Sequence, residues 1–377
     1  MKKVFFGRDS LKKIQSIVEE INAKRILLVT GKESFILSGA KIKIDELLKG
    51  VETIVFNDFQ PNPRLKDAER GIRILKQKDV DLIVSIGGGS VLDMAKLINI
   101  LAAQEDSLKF FDIVKKSNLI SSKGVPLVAI PTTAGSGSQA THFAVVYVDS
   151  IKYSLSHIYM LPDYVIVDPL LGYNMPKKLA ASSAMDALSQ AIESFWSVGS
   201  TKKSRRYSAK AIKLILPVLR KSFVSNNNET NDIMALASHL SGKAINISKT
   251  TAAHALSYPI TAYFNIQHGH AVALTLSKFF IINSSSKYKV IDKRGGYHVV
   301  KIMDKLFNIL GVGCAEEAEL LWKRLLTSVD LSYNLKEIGI TSHSDIKKIV
   351  ENVNIERLGN NPVEITKMMM YDIFEKQ

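Results

Sequence analysis

The residues that most clearly announce chemistry are two short polar loops, each placed directly after an apolar run. Gly87-Gly88-Gly89-Ser90 follows Leu82-Ile83-Val84-Ser85-Ile86, and Val91 to Ala102 continues at helical spacing. A strand that ends in glycines and turns into a helix aims free N–H groups and the positive end of a helix dipole at one point, which suits a pyrophosphate. Glycine there also reaches backbone angles closed to other residues and lets the chain approach a ligand. Asp93 and Lys96, three apart on the first turns, share a face. The carboxylate could accept hydrogen bonds from a sugar or amide, and the ammonium could sit near phosphate. A second loop, Pro131-Thr132-Thr133-Ala134-Gly135-Ser136-Gly137-Ser138, offers hydroxyls beside glycines after another buried-type run. Ligands of open α/β sheets gather at the carboxyl ends of the strands, so both loops would reach one molecule. The bland alternative for each is a tight or hydroxyl-rich structural turn.

Such loops need a sheet to carry them. Arg25 to Thr30, Thr53 to Phe56, Leu82 to Ile86 and Pro126 to Ile130 are apolar runs long enough for buried strands and too short for helices. Between them, Leu65, Ala68, Ile72 and Leu75 recur at helical spacing. The alternation predicts a parallel, Rossmann-like sheet covered by helices. After Asp168-Pro169 long helical patterns take over, at Lys210 to Val224, Ile233 to Ala244, Val299 to Leu310 and Ala315 to Leu326, with Asn226-Asn227-Asn228 marking a loop. The reading is an α/β domain over residues 1–160 and an all-α domain over 161–377.

Composition narrows the class. A chain of 377 residues with 46% hydrophobic and 23% charged residues has an ordinary globular balance. No apolar stretch is long enough to cross a bilayer, so no membrane role is expected. A single cysteine, Cys314, excludes an intramolecular disulfide framework and a cysteine-rich zinc site, and cytoplasm is the expected compartment. The net charge of +14 raises nucleic-acid binding as a competitor. Its lysines and arginines are spread as pairs along the whole chain, without an aromatic-interleaved block, so solvated helix faces account for most of them and no nucleic-acid partner is expected.

Gly-Gly-Gly-Ser-x-x-Asp-x-Ala-Lys at 87–96 and Pro-Thr-Thr-Ala-Gly-Ser-Gly-Ser at 131–138 resemble the iron-containing (group III) alcohol dehydrogenases. Later segments agree in order: Asp168-Pro169, Met185-Asp186-Ala187-Leu188 leading to Ala191-Ile192-Glu193, His254-Ala255 and His268-Gly269. The resemblance implies a dehydroquinate synthase-like fold and hydride transfer between NADP or NAD and a small aldehyde or alcohol. It also implies a homo-oligomer. Gly88, Gly89, Ser90 and Asp93 match residues around the cofactor's pyrophosphate and nicotinamide. Thr132, Thr133 and Ser136 line the same cleft, and Lys152 resembles the family's cofactor-facing lysine. Asp186, His254 and His268 match ligands of Fe²⁺ or Zn²⁺, a carboxylate and two imidazoles that suit a divalent ion with an open position. Dehydroquinate-synthase-like and glycerol-dehydrogenase-like enzymes are the alternatives on the same fold.

The sequence also departs from the family pattern. Gln190 stands where the family has a histidine, and is either a weak oxygen ligand or none. Tyr258, before a turn expected at Pro259, replaces a histidine near the nicotinamide. Tyr258, His270 or a water chain would move the proton. At the end of the first strand, Gly31-Lys32 takes the place of the aspartate common in NAD-specific relatives. With Ser34 or Lys41 it could receive a 2′-phosphate, so NADP is expected over NAD. Ser248-Lys249-Thr250-Thr251 and the His268-Gly269-His270 segment look like the phosphonoacetaldehyde reductase branch. Lys249 would then meet an anionic group of the substrate.

Overall fold

The structure, a computed structural model, describes residues 3–149, 151–220, 228–353 and 355–375. Two compact units divide between Met175 and Pro176. The first unit is built on a six-stranded parallel sheet of β1 (Lys3–Phe6), β2 (Arg25–Thr30), β3 (Glu52–Phe56), β4 (Leu82–Gly87), β5 (Leu127–Pro131) and β8 (Tyr164–Val167), in the order β1-β8-β5-β4-β2-β3. The strands β4 and β5 are buried along their whole length, as near-continuous apolar runs require when both faces are covered. Side-chain alternation assigns Leu27, Val29 and Ile83 to one core and Ile26, Leu28, Leu82 and Val84 to the other. Helix α1 (Lys13–Ile21) packs on the second core, and α2 (Leu65–Gln77) and α3 (Gly89–Ala102) pack on the first. In α2 the predicted stripe of Leu65, Ala68, Ile72 and Leu75 is the buried face.

Two differences from the sequence reading concern this unit. The expected limit at 160 falls short, because β8 hydrogen-bonds to both β1 and β5 and so belongs to the sheet. Strands β6 (Phe143–Val148) and β7 (Ile151–Ser156) form a separate antiparallel hairpin that the winding pattern does not announce. Asp149, in the left-handed region at φ 48°, begins its turn. Ala144, Val146 and Leu155 face the core, which puts Lys152 and Ser154 on the opposite face.

The second unit is helical, as expected. Its centre is α4 (Lys177–Trp196), buried nearly all round from Ala181 onward and packed against α5 (Lys202–Arg220), α6 (Asn228–Ser248), α8 (His268–Ser284) and α9 (Gly296–Leu310). A helix covered on every side is a core element. Asn226 and Asn227 lie outside the described residues, and Asn228 opens α6. Helix α7 (Ala252–Phe264) overturns the expected turn at Pro259, because it runs on through that residue. The proline forfeits one backbone hydrogen bond, and burial of Leu256, Tyr258 and Ile260 around it holds the helix. Among the described residues no helix is long and apolar enough to cross a membrane.

Helix α6 carries a buried histidine that ties stability to pH. Burial, then the charge of Lys243, pulls His239 down to about 4 from 6.5, and its Nδ1 has no hydrogen-bond partner. The folded protein keeps His239 neutral where the unfolded chain takes up a proton. The stability it supports is therefore complete above 6.5 and is lost as pH falls from 6.5 toward 4. Denaturant unfolding at pH 7 and pH 5 should show the wild type losing about 2 kcal/mol more than His239→Asn. Equal losses in both proteins would remove His239 from the account.

Candidate functional site

The chemistry-bearing residues fall into two constellations, one in each unit. In the first unit the carboxyl ends of the neighbouring strands β2, β4 and β5 bring Gly31, Gly87 to Ser90 and Thr132 to Ser136 to one edge of the sheet. Thr132 N donates to the Gly87 carbonyl at 3.0 Å, and Asn62 N donates to Ser90 Oγ at 3.2 Å. The glycines serve a different end from the one expected. None of Gly87, Gly88 and Gly89 has a positive φ. What excludes a side chain is space. A Cβ at Gly89 would lie 2.8 Å from Ser136 Oγ, and one at Gly87 2.7 Å from Val91 Cβ. The first loop is therefore pressed against the second, and α3 starts at Gly89 with its first N–H groups at the same edge.

Asp93 and Lys96 are the larger correction. Asp93 Oδ1 accepts from Ser138 Oγ at 2.5 Å and Oδ2 from Val145 N at 2.9 Å, so this carboxylate ties α3 to the second loop and to β6. Lys96 is only 1% exposed. Its Nζ donates among Ser138 O (2.7 Å), Ser138 Oγ (2.9 Å), Thr141 Oγ1 (3.0 Å) and Phe143 O (2.9 Å), rather than waiting at a phosphate. Burial brings the ammonium down to about 8, with Asp93 pulling the other way, so it stays charged near neutrality. Helical spacing correctly predicts that the two residues share a face, but not that the second loop folds over that face. Lys152 is half-buried on the hairpin face turned away from the core, and Lys32 is exposed 3.7 Å from Asp58.

In the second unit one face of α4 carries Ser182, Asp186, Gln190 and Glu193, a buried polar stripe at successive helical turns. Two helix N-termini dock on it. At the start of α8, His270 N donates to Ser182 Oγ at 3.1 Å. At the start of α7, Thr251 N and His254 N both donate to Glu193 Oε1 at 3.2 Å. Gly269 makes the α8 contact close, since a Cβ there would fall within the Ser182 carbonyl and 2.8 Å from Asp186 Cβ.

The result is a cluster of Asp186, His254 and His268 whose donor atoms all lie within 4.8 Å of one another. Asp186 Oδ1 and His254 Nε2 face each other at 3.4 Å, both buried and neither aligned in a hydrogen bond. Burial works to raise the Asp186 carboxyl, and the two imidazoles outweigh it and hold the group below its ordinary range. A carboxylate and two imidazoles so close together, with Asp186 Oδ1 and His254 Nε2 buried and without a hydrogen-bond partner, fit a divalent cation. Gln190 is buried one turn along α4, within hydrogen-bonding reach of Asp186. The Tyr258 ring lies 6.0 Å from that of His268, centre to centre.

His270 Nε2 is engaged with the Ser332 carbonyl at 2.6 Å, which leaves only Nδ1 for any other partner. Lys249, half-buried in the link between α6 and α7, holds φ at +58°. Sequence reasoning quoted Glu193 without giving it a task. The signal was available, since Asp186, Gln190 and Glu193 repeat at four and three residues, the period of one helix face.

Residues 1–169 match the family model for iron-containing alcohol dehydrogenase, and residues 180–377 match that for the C-terminal part of the Fe-containing alcohol dehydrogenase family. The chain is 30% identical to the NAD-dependent methanol dehydrogenase of Bacillus methanolicus, over 95% of this chain and 91% of that one. It is 28% identical to the NADPH-dependent butanol dehydrogenase of Clostridium saccharobutylicum, over 99% and 95%. Among solved structures, sulfoacetaldehyde reductase from Bifidobacterium kashiwanohense in complex with NAD⁺ superposes with a TM-score of 0.87 at 30% identity, covering 100% of this chain and 96% of that one.

Replacing Lys96 by Met keeps the length of the side chain and removes the buried cation from its acceptors. Unfolding titrations should record a loss of about 3–5 kcal/mol, the cost of leaving buried partners uncompensated. A loss under about 1 kcal/mol, the value of an exposed pair, would show that the loop holds without it.

Proposed function

Because the chain belongs to the iron-containing alcohol dehydrogenase family, we propose that this oxidoreductase uses NADPH to reduce a small anionic aldehyde, with phosphonoacetaldehyde giving 2-hydroxyethylphosphonate as the leading case. The observation that carries the enzymatic reading is the Asp186, His254 and His268 cluster, with its donor atoms within 4.8 Å of one another. When bound, a nicotinamide supplies hydride and a divalent cation supplies Lewis acidity toward a carbonyl oxygen.

The chain's own groups do the rest. Gly88, Gly89 and Ser90 offer N–H groups at the start of α3 to a pyrophosphate, beside Thr132, Thr133 and Ser136. Asp93 takes part through the loop it ties down, and Lys152 offers a cation from the hairpin. Asp186, His254 and His268 hold the cation, with the Gln190 amide oxygen as a further donor. Burial of Asp186, Gln190 and His254 limits water there and strengthens the charge interactions around them. Tyr258 is the better placed proton carrier, since the His270 Nε2 proton already serves Ser332.

Preference for NADPH rests on Gly31 and Lys32. Gly31 rather than an aspartate follows β2, and a cavity of about 460 Å³ beside it has Lys32, Lys41 and Lys49 in its wall, along with Asp45. The anionic substrate rests on Lys249. A non-glycine residue in the left-handed region is held there at some cost, here in a link that Asn360 Nδ2 grips through the Ser248 and Thr250 carbonyls at 2.8 Å. A relative that reduces sulfoacetaldehyde supports the same reading. Reduction of uncharged aldehydes is the second reading, favoured by the methanol and butanol dehydrogenases among the relatives.

Purified protein should hold Fe²⁺ or Zn²⁺, and His268→Ala should lose both metal and activity. Full activity after chelation would remove the cation from the mechanism. With NADPH saturating, kcat/KM for phosphonoacetaldehyde should exceed that for propanal by at least about tenfold, and Lys249→Ala should erase the difference. Equal values for charged and uncharged aldehydes would leave an aldehyde reductase without anion selectivity. A kcat/KM with NADH equal to that with NADPH would overturn the cofactor preference.

A further inference from the structure

We propose that Glu193 is the positioning residue of the metal cluster: it holds His254 with the proton on Nδ1, so that the Nε2 lone pair is left for the cation. The inference rests on the metal reading above. Glu193 is fully buried. Its Oε1 meets donors only: Thr251 N at 3.2 Å, Thr251 Oγ1 at 2.8 Å and His254 N at 3.2 Å. The Thr251 hydroxyl also accepts from Trp196 Nε1 at 3.0 Å, so its own proton is directed to Glu193. The other oxygen, Oε2, meets His254 Nδ1. With three N–H and O–H donors already directed at the carboxylate, we assign Oε2 as the acceptor and Nδ1 as the protonated nitrogen. Nε2 then faces Asp186 across 3.4 Å without a hydrogen bond. One side chain thus anchors both the backbone N–H and the ring of His254, and closes the first turn of α7 as well. A carboxylate behind a metal-binding imidazole both orients the ring and raises its basicity.

The geometry makes the same-sized amide revealing. In Glu193→Gln the donors at Thr251 and His254 claim the one amide oxygen, which turns the NH₂ group toward Nδ1. His254 must then accept at Nδ1 and carry its proton on Nε2, where the cation would bind. A packing role for Glu193 predicts that Gln is nearly silent. The tautomer role predicts that it fails almost as badly as Ala.

The test is zinc affinity, measured by competition with a chromophoric chelator, together with the ring ¹⁵N–¹H spectrum of His254. In the wild type the Nδ1 proton should be present in both metal-free and zinc-loaded protein, and in metal-free Glu193→Gln it should be absent. The zinc Kd should rise by about 10–100-fold in Glu193→Gln and Glu193→Ala. Thr251→Val, which removes one donor and leaves the Glu193–His254 contact, should lower the melting temperature without changing zinc affinity. An unchanged Kd in Glu193→Gln, a wild-type ring proton missing from Nδ1, or an equal loss of affinity in Thr251→Val would overturn the proposal. A wild type that takes up no zinc overturns the metal reading, whereas the Nδ1 proton, read in metal-free protein above pH 9 where the ring is neutral, decides the hold of Glu193 on His254 by itself.

Discussion

Helix α8 approaches α4 so closely at Gly269 that one added carbon would occupy the place of the Ser182 carbonyl. The Asp186 and His268 side of the cluster depends on this approach. Asp186 and His268 lie on different helices, and only a residue without a side chain lets the two backbones come near enough for a carboxylate and an imidazole to share one point. Because the obstacle would be backbone rather than a pliable side chain, no rotamer change relieves it. His254 comes from a third helix, and its placement is passed to α4 through Glu193. Two helix N-termini thus end on one polar stripe. Their unsatisfied N–H groups are met by Ser182 and Glu193 rather than by their own caps, so secondary structure and site are stabilised by the same hydrogen bonds.

The first unit solves a comparable problem with a cation. The polar link from the second loop to the hairpin places carbonyl and hydroxyl oxygens of Ser138, Thr141 and Phe143 in the interior, where unpaired acceptors are costly. Lys96 satisfies them from below while Asp93 fixes the same loop from its flank. The two loops then form a pre-set edge, with small residues at their contact and polar groups bound in its floor.

Much of this was legible in the sequence. Strands β2, β3, β4 and β5 were readable because they are short, nearly continuous apolar runs, a pattern that helices of that length do not show. The hairpin β6–β7 was not, since β6 (Phe-Ala-Val-Val-Tyr-Val) shows no alternation of apolar and polar residues, β7 shows only a short one, and both sit between stronger signals. The motif positions in both units were found, and so was the cluster of Asp186, His254 and His268. Roles that depend on what folds over a residue were not. Asp93 and Lys96 look like ligand-facing groups until Ser138 and Phe143 close on them, and His270 looks like a proton donor until the Ser332 carbonyl meets it. Glu193 shows the opposite case. Its period along α4 marked it for the site, but a glutamate on a helix is usually solvated, and only its distant partners at Thr251 and His254 give it a task.

The seclusion of Lys96 also separates two kinds of electrostatics within the first unit. Dissolved ions screen exposed charges over a Debye length of about 8 Å at physiological ionic strength, and they reach a buried pair far less. Lys32 stands in solvent, whereas Lys96 is sealed beneath the loop it supports. Raising the salt concentration should weaken whatever the surface lysines contribute to holding a phosphate and leave the architecture of the loops intact. The exposed charges and the buried loop architecture therefore answer to different variables, the one to the medium and the other to the interior.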